Sequence, residues 1–344
     1  MQASCACRRC IVARLSPIKD LYDRLEAVGF PRAYVRENIL PDWWEDDLAR
    51  DPGNRRLAEL VISRTLKIPL PSLVEPRSPL TLEGAAEVRF KRRQDVEPPD
   101  LLPAVAVARR IFELLFACAR DLPAFALEGG DPEVLRELIL SRSSCVDLPG
   151  LLQISWELGV PVVHLDSLPQ GAKRVDGMAF CVAGRPCIAL ASFRKSPAWL
   201  TWHLAHEMGH VARGHLHNGA ALDVRIDFSS EQVEEREANL FAKDLVYGKK
   251  NRGGFKSARH ITGVQLAAEA RHLGALHRIH PACIVTSYGF NMAAWGTAQN
   301  ALKALGSADG GPEAVRAALT ERLDLESLVD SDRQFFVRAV GLPE

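Results

Sequence analysis

No apolar run in this 344-residue sequence approaches the ~18 residues that a membrane-spanning helix needs, which argues against a helical membrane protein and for no membrane partner. The opening stretch MQASCACRRCIVARLSP lacks the long apolar core and small-residue cleavage site of a secretory signal, so the expected compartment is the cytoplasm. Net charge is equally scarce. The 43 Lys plus Arg balance 43 Asp plus Glu to a formal +0, so no chain-wide field draws the protein to nucleic acid, and any DNA contact would need a local patch. Cysteine is sparse and dispersed: of eight, only Cys5, Cys7 and Cys10 cluster, which does not look like a framework of paired bridges and makes reduced thiols the default. Their CxCxxC run lacks the fourth ligand of a closed metal site and is read as a tail with free thiols. There is no internal repeat and no long low-complexity segment.

What is present is ordinary globular composition, 47% hydrophobic and 25% charged, with length for about two or three domains. Residues 1–80 read as a bundle of short helices, with Leu21, Leu25 and Val28, then Leu57, Leu60 and Val61, at helical spacing. A docking or dimerisation role is favoured for this module over a helix-turn-helix-like DNA contact, because LPDWWEDDLARDP is acidic where phosphates would be met; Trp43 and Trp44 are read as core. The proline-rich IPLPSLVEPRSPL predicts a linker, with a boundary between Pro71 and Pro79.

A helical connector is expected over 81–135, including a helix from Leu101 to Arg120, then a mixed α and β segment over 136–250 and a helical region over 251–344. Asp131 and Asp147 are predicted N-caps, and Gly159 a helix stop. VPVVHLD, GMAFCVA and RPCIALAS read as short strands, the last two joined in a hairpin. A helix is then predicted from Pro197 to Arg213, capped by Ser196 and closed by Gly214, and another from about Ser230 to Val246.

Inside the Pro197 helix, His206, Glu207, Met208, Gly209 and His210 spell HExxH. Positions i and i+4 stack on one helix face, so both imidazoles reach one ion while Glu207 sits beside it, free to hold a water. Imidazole suits Zn²⁺, and a water activated by it needs a base such as Glu207 to take its proton and later return it to a leaving amine. The bland alternative, two histidines on a solvated helix, is disfavoured by the apolar flanks LTWHLA and VA. A third ligand must come from elsewhere, because the metzincin offsets hold Arg213 and Leu216, and His215 and His217 are each one residue out. In SEQVEEREANLFAKDLV a helical projection sets Ala238, Phe241, Ala242, Leu245 and Val246 on one apolar face. Glu235 lies near the middle of that face and is chosen, with Glu237 and Glu234 behind it. The alternative is that these carboxylates merely suit a helix N-terminus.

Over residues 148–246 the run GLLQISWELGVPVVHL, DGMAF, RPCIALASFRKSPAWLTWHLAHEMGH and EREANLFAKDLV resembles the ImmA/IrrE-type metallopeptidases. Glu235, Ala238, Asn239, Phe241 and Ala242 match that family's E-x-x-A-N-x-F-A motif position by position. The resemblance implies an α+β, zincin-like domain, Zn²⁺ held by His206, His210 and Glu235, Glu207 as catalytic acid and base, and a transcriptional repressor or antitoxin as the protein substrate. The sequence departs from the family at KDLVYGKK, where a leucine-rich, proline-ended run is usual, so the wall of the cleft is expected to differ.

Competing expectations are a non-hydrolytic DNA-binding regulator or antitoxin that keeps the fold, and self-cleavage in the proline-rich linker. His215, His217, His260 and Tyr288 are each chemically able to stabilise an oxyanion. CIALAS is a candidate sheet edge for strand addition by a peptide substrate. His203 is a candidate partner to the motif one turn on, and His272, His277 and His280 read as surface residues.

Overall fold

The computed structural model describes residues 18–82, 89–90, 102–169, 176–216 and 228–343; Cys5, Cys7, Cys10 and His217 lie outside the described residues. The chain is α+β, mostly helical around one small sheet. Its strands are β1 (Arg89–Phe90), β2 (Val162–His164), β3 (Gly177–Val182) and β4 (Arg185–Leu190), in the order β1-β3-β4-β2. β3 and β4 form the expected hairpin through Ala183 and Gly184, whose φ values of 51° and 76° match the positive φ pair of a tight two-residue turn. β2 lies parallel to β4, with Val162 opposite Ile188 and His164 opposite Leu190.

β4 is therefore an inner strand, paired on both sides, and the expectation that CIALAS offers a free edge is wrong. The run after the predicted helix, VPVVHLD, had the residues to cover that edge; only its return beside β4, a long-range event, decides the matter.

The sheet separates two hydrophobic cores by the two-residue period of its strands. Met178, Phe180, Cys187 and Ala189 face one core, and Ala179, Ile188 and Leu190 face the other. Helix Leu102–Cys118 fills the first core, with Phe112 meeting Phe180 edge to face at 5.3 Å. The N-terminal helices join this core through Leu21, Leu25, Ile62 and Leu73. Trp44 is buried as expected, whereas Trp43 is exposed.

The proline-rich stretch is not a free linker. Leu70–Val74 is a short helix with proline in its first turn, and the Arg24 guanidinium donates to the Leu73, Ser72 and Ser78 carbonyls, which pins it to helix Lys19–Ala27. Proline at a helix start costs no hydrogen bond, so its abundance here marks a helix entry.

Helix Asp330–Val340 returns to the first core, where buried Asp332 accepts from Arg110 at 2.9 Å and from Arg64 at 2.7 Å. Helices Gly263–His277, Pro281–Met292, Trp295–Leu305 and Gly311–Thr320 pack into the second core, the last also reaching the first through Leu319. Asp131 and Asp147 cap their helices as predicted, accepting from Glu133 N and Gly150 N. Ser196 does not cap with its side chain; its hydroxyl donates to the Ser307 carbonyl at 2.6 Å and ties the helix start to the C-terminal region.

Among the described residues no helix is long and apolar enough to cross a membrane, and the five described cysteines are free. Burial pushes the Cys118 and Cys283 thiols up to about 11 and about 12, so both behave as small apolar core groups.

Candidate metal centre

Helix Pro197–Ala212 carries the HExxH residues and runs through the second core beneath the sheet, its Leu204, Ala205 and Met208 fully buried. Helix Phe228–Tyr247 crosses it closely. The crossing point is Gly209, where a Cβ would stand 2.9 Å from Ala238 Cα, 3.0 Å from the Ala238 carbonyl oxygen and 3.2 Å from Phe241 Cβ. Only a residue without a side chain lets the second backbone approach so near. Glu235 lies one turn before Ala238, and the approach carries its carboxylate onto the two imidazoles.

His206 Nε2 and His210 Nε2 are 3.2 Å apart, Glu235 Oε2 is 3.4 Å from the first, and Glu235 Oε1 is 3.2 Å from the second. These three residues form a triad able to hold a metal ion. His206 is fully buried, while the Glu235 side chain retains 31% exposure, so the triad opens on the Glu235 side. Burial would raise the Glu235 carboxyl, but hydrogen bonds and charge from both imidazoles hold it well below the usual carboxylate range. Burial would likewise lower His210, yet its contact with Glu235 and the nearby Glu207 raise it. Three groups that mainly accept when deprotonated thus meet in a small, mostly buried space, an arrangement that a cation relieves.

Glu207 is buried at 3% exposure. Its carboxylate lies against the first residue of β3, where a Cβ on Gly177 would stand 2.9 Å from Glu207 Oε1 and 3.1 Å from its Cγ. The glycine is thus the notch in the sheet that accepts the Glu207 carboxylate. Next to it Asp176 takes a hydrogen bond from Ser192 Oγ at 3.0 Å and faces His203 Nε2 at 3.9 Å. His203 also stacks on Trp199. It therefore sits on the sheet side of the motif helix, away from the triad's hydrogen bonds.

The other candidates are dispersed. Glu234 is half-buried, and Glu237 does not join the triad but accepts from His215 Nε2 at 3.0 Å. His215 in turn presents Nδ1 to His210 Nδ1 at 3.1 Å. Burial lowers the pKa of His215 below the usual histidine range. This chain was not foreseen, although its signal is in the sequence. Gly214 adopts φ 68° and closes the helix with Gly214 N–H on the Val211 carbonyl and His215 N–H on the His210 carbonyl. That closure sets the residue after the glycine over the one five positions earlier, here one histidine over another.

Tyr288 is buried in the second core and His260 is exposed, and neither hydrogen-bonds to the triad. His280 is not a surface residue; half-buried, it caps helix Pro281–Met292 by accepting from Ala282 N at 3.3 Å. His272 is exposed and His277 half-buried. At the N-terminal end of the motif helix, Phe193, Arg194, Trp199 and Trp295 line a groove of about 420 Å³, with the Arg194 guanidinium 3.8 Å from the Trp199 ring centre. No family model, curated protein or solved structure matches the chain.

Proposed function

We propose that the protein is a Zn²⁺-dependent endopeptidase of the ImmA/IrrE type, with a zincin-like domain, acting on a transcriptional repressor or antitoxin. The observation that carries this reading is the spacing of the triad. Ligands about 2.0–2.1 Å from a tetrahedral zinc lie about 3.3–3.4 Å from one another, and here the two Nε2 atoms are 3.2 Å apart, with one Glu235 oxygen 3.4 Å from His206 Nε2 and the other 3.2 Å from His210 Nε2. Two imidazoles and one carboxylate are also the donor set of catalytic zinc sites that keep a fourth position open.

When bound, Zn²⁺ would lower the pKa of a water toward about 7 and polarise a scissile carbonyl. Glu207 is the one carboxylate of the motif outside the triad. It takes the proton from the attacking water and passes it to the leaving amine, held in place by the notch at Gly177. A purely structural site has no use for such a base, which favours hydrolysis over a non-catalytic regulator. The groove at Trp199 begins seven residues before His206, about 10 Å along the helix axis, a span of about three extended peptide residues, and so is within reach of a bound polypeptide.

The test is co-expression of the full chain with the protein encoded beside it, wild type against Glu207→Gln, with zinc measured by elemental analysis. Stoichiometric zinc in both and loss of the neighbour with wild type alone is the expected result. Cleavage that survives Glu207→Gln contradicts the scheme.

A further inference from the structure

We infer that Glu237 and His215 form a positioning relay that fixes the tautomer of His210 and so presents its bare Nε2 to the cation; this rests on the reading of His206, His210 and Glu235 as a metal centre. The argument follows the protons from the outside inward. An ionised carboxylate can only accept a hydrogen bond. Glu237 Oε2 lies 3.0 Å from His215 Nε2, so that nitrogen carries the hydrogen. A neutral imidazole has one N–H, which leaves His215 Nδ1 with its lone pair. That lone pair faces His210 Nδ1 at 3.1 Å, and two lone pairs cannot share a hydrogen bond, so His210 Nδ1 is the donor. In the neutral ring Nε2 is then the bare nitrogen; it faces Glu235 Oε1 and His206 Nε2, each at 3.2 Å, where a cation takes the place of the proton that Glu235 accepts in the metal-free protein.

Each link has a local cause. The left-handed Gly214 folds His215 back over His210, and Glu237 follows Glu235 by two residues on the helix that Gly209 admits. Metal-binding histidines commonly donate their second N–H to a carboxylate, which orients the ring and strengthens it as a donor. Here an additional imidazole stands between the two. His206 has no such support: its Nδ1 is buried without a hydrogen-bond partner among the described residues. The two imidazoles of the motif are thus unequal, and His210 is the ligand whose orientation is built in. Glu237 itself is half exposed, with 51% of its side chain open, so changing it leaves the packed core untouched.

The test uses the full-length protein with Glu237→Ala, Glu237→Gln and His215→Phe. The Zn²⁺ dissociation constant is measured by competition with a chromophoric chelator, the imidazole tautomers by ¹⁵N NMR of the metal-free protein, and folding by its thermal midpoint. Glu237→Ala should weaken zinc about 10–100-fold, the scale found for partners just outside a metal's ligands, with the metal-free midpoint unchanged. Glu237→Gln should recover most of the loss, because its amide oxygen still accepts from His215, and His215→Phe should lose at least as much as Glu237→Ala. The NMR should find hydrogen on His215 Nε2 in the wild type. Zinc bound equally by wild type and Glu237→Ala, or hydrogen on His215 Nδ1, overturns the relay alone. A wild type that binds no zinc overturns the metal-centre reading and the relay's purpose with it.

Discussion

Replacing Gly209 by alanine isolates the contact that brings the two motif helices together. In an open helical position the change stabilises by about 1 kcal/mol, because glycine is the poorer helix former. At Gly209 the new Cβ would stand 2.9 Å from Ala238 Cα and 3.0 Å from the Ala238 carbonyl oxygen, where such atoms rest about 3.5 Å apart or more. Both obstacles are backbone and cannot rotate aside, so the helices must separate by roughly half an ångström. Overpacking of this kind costs about 1–3 kcal/mol; set against the helix gain, the net loss is about 0–2 kcal/mol. The larger effect falls on the triad, since Glu235 rides on the helix that moves. Zinc affinity should drop by about tenfold or more, the scale of disturbances that displace a ligand's support. Urea unfolding of the metal-free protein and chelator competition read the two effects separately. A Gly209→Ala protein that is about 1 kcal/mol more stable than wild type and binds zinc unchanged would refute the close approach.

At Gly177 the outcome should be reversed in kind. The three atoms nearest its added Cβ all belong to the Glu207 side chain, so Gly177→Ala should keep zinc and fold while displacing the base, with proteolysis down about 10²-fold; full activity would disprove the notch. Asp332→Ala strands buried Arg110, which among the described residues keeps Glu113 at 3.3 Å, and the expected loss is about 3 kcal/mol, read as a lower denaturation midpoint, with less than 1 kcal/mol counting against the buried pair. Burial lowers the imidazole pKa of both His164 and His280 below the reference 6.5. Below pH 6.5 the unfolded chain therefore takes up protons that the native chain does not, and stability falls as the pH drops, by up to about 1.4 kcal/mol per pH unit and histidine. His280→Asn, which keeps an N-cap acceptor, should flatten the fall between pH 6.5 and 5.5 by its share; an unchanged slope rules His280 out of it.

Features set by neighbours along the chain were readable from the residues. The four-residue spacing of His206 and His210, the apolar face that carries Glu235, the caps at Asp131 and Asp147 and the β3–β4 hairpin all depend on one or two turns of chain. What escaped depends on distant pairings. β4 became an inner strand because β2 lies beside it, Ser196 turned to Ser307 instead of its own helix, and Arg24 gathered three carbonyls of a stretch that proline content alone marks as a linker. His215 is the intermediate case. Its place over His210 follows from the glycine before it, but a histidine after a motif is more readily weighed as a ligand or a donor to substrate than as a support for another histidine.

The pairing of Arg64 with Asp332 spans 268 positions, and it has a consequence for the order of assembly on the ribosome. Chains emerge N-terminus first and their early domains ordinarily fold as they appear. Here the opening helices leave the exit tunnel long before Phe335, Phe336 and Val340, which complete the core they share. The part of the N-terminal apolar surface that faces Phe335, Phe336 and Val340 is therefore covered only after the rest of the chain has emerged. A product cut short before residue 330 would contain His206, His210 and Glu235 yet lack the piece that shuts the opposite side of the sheet.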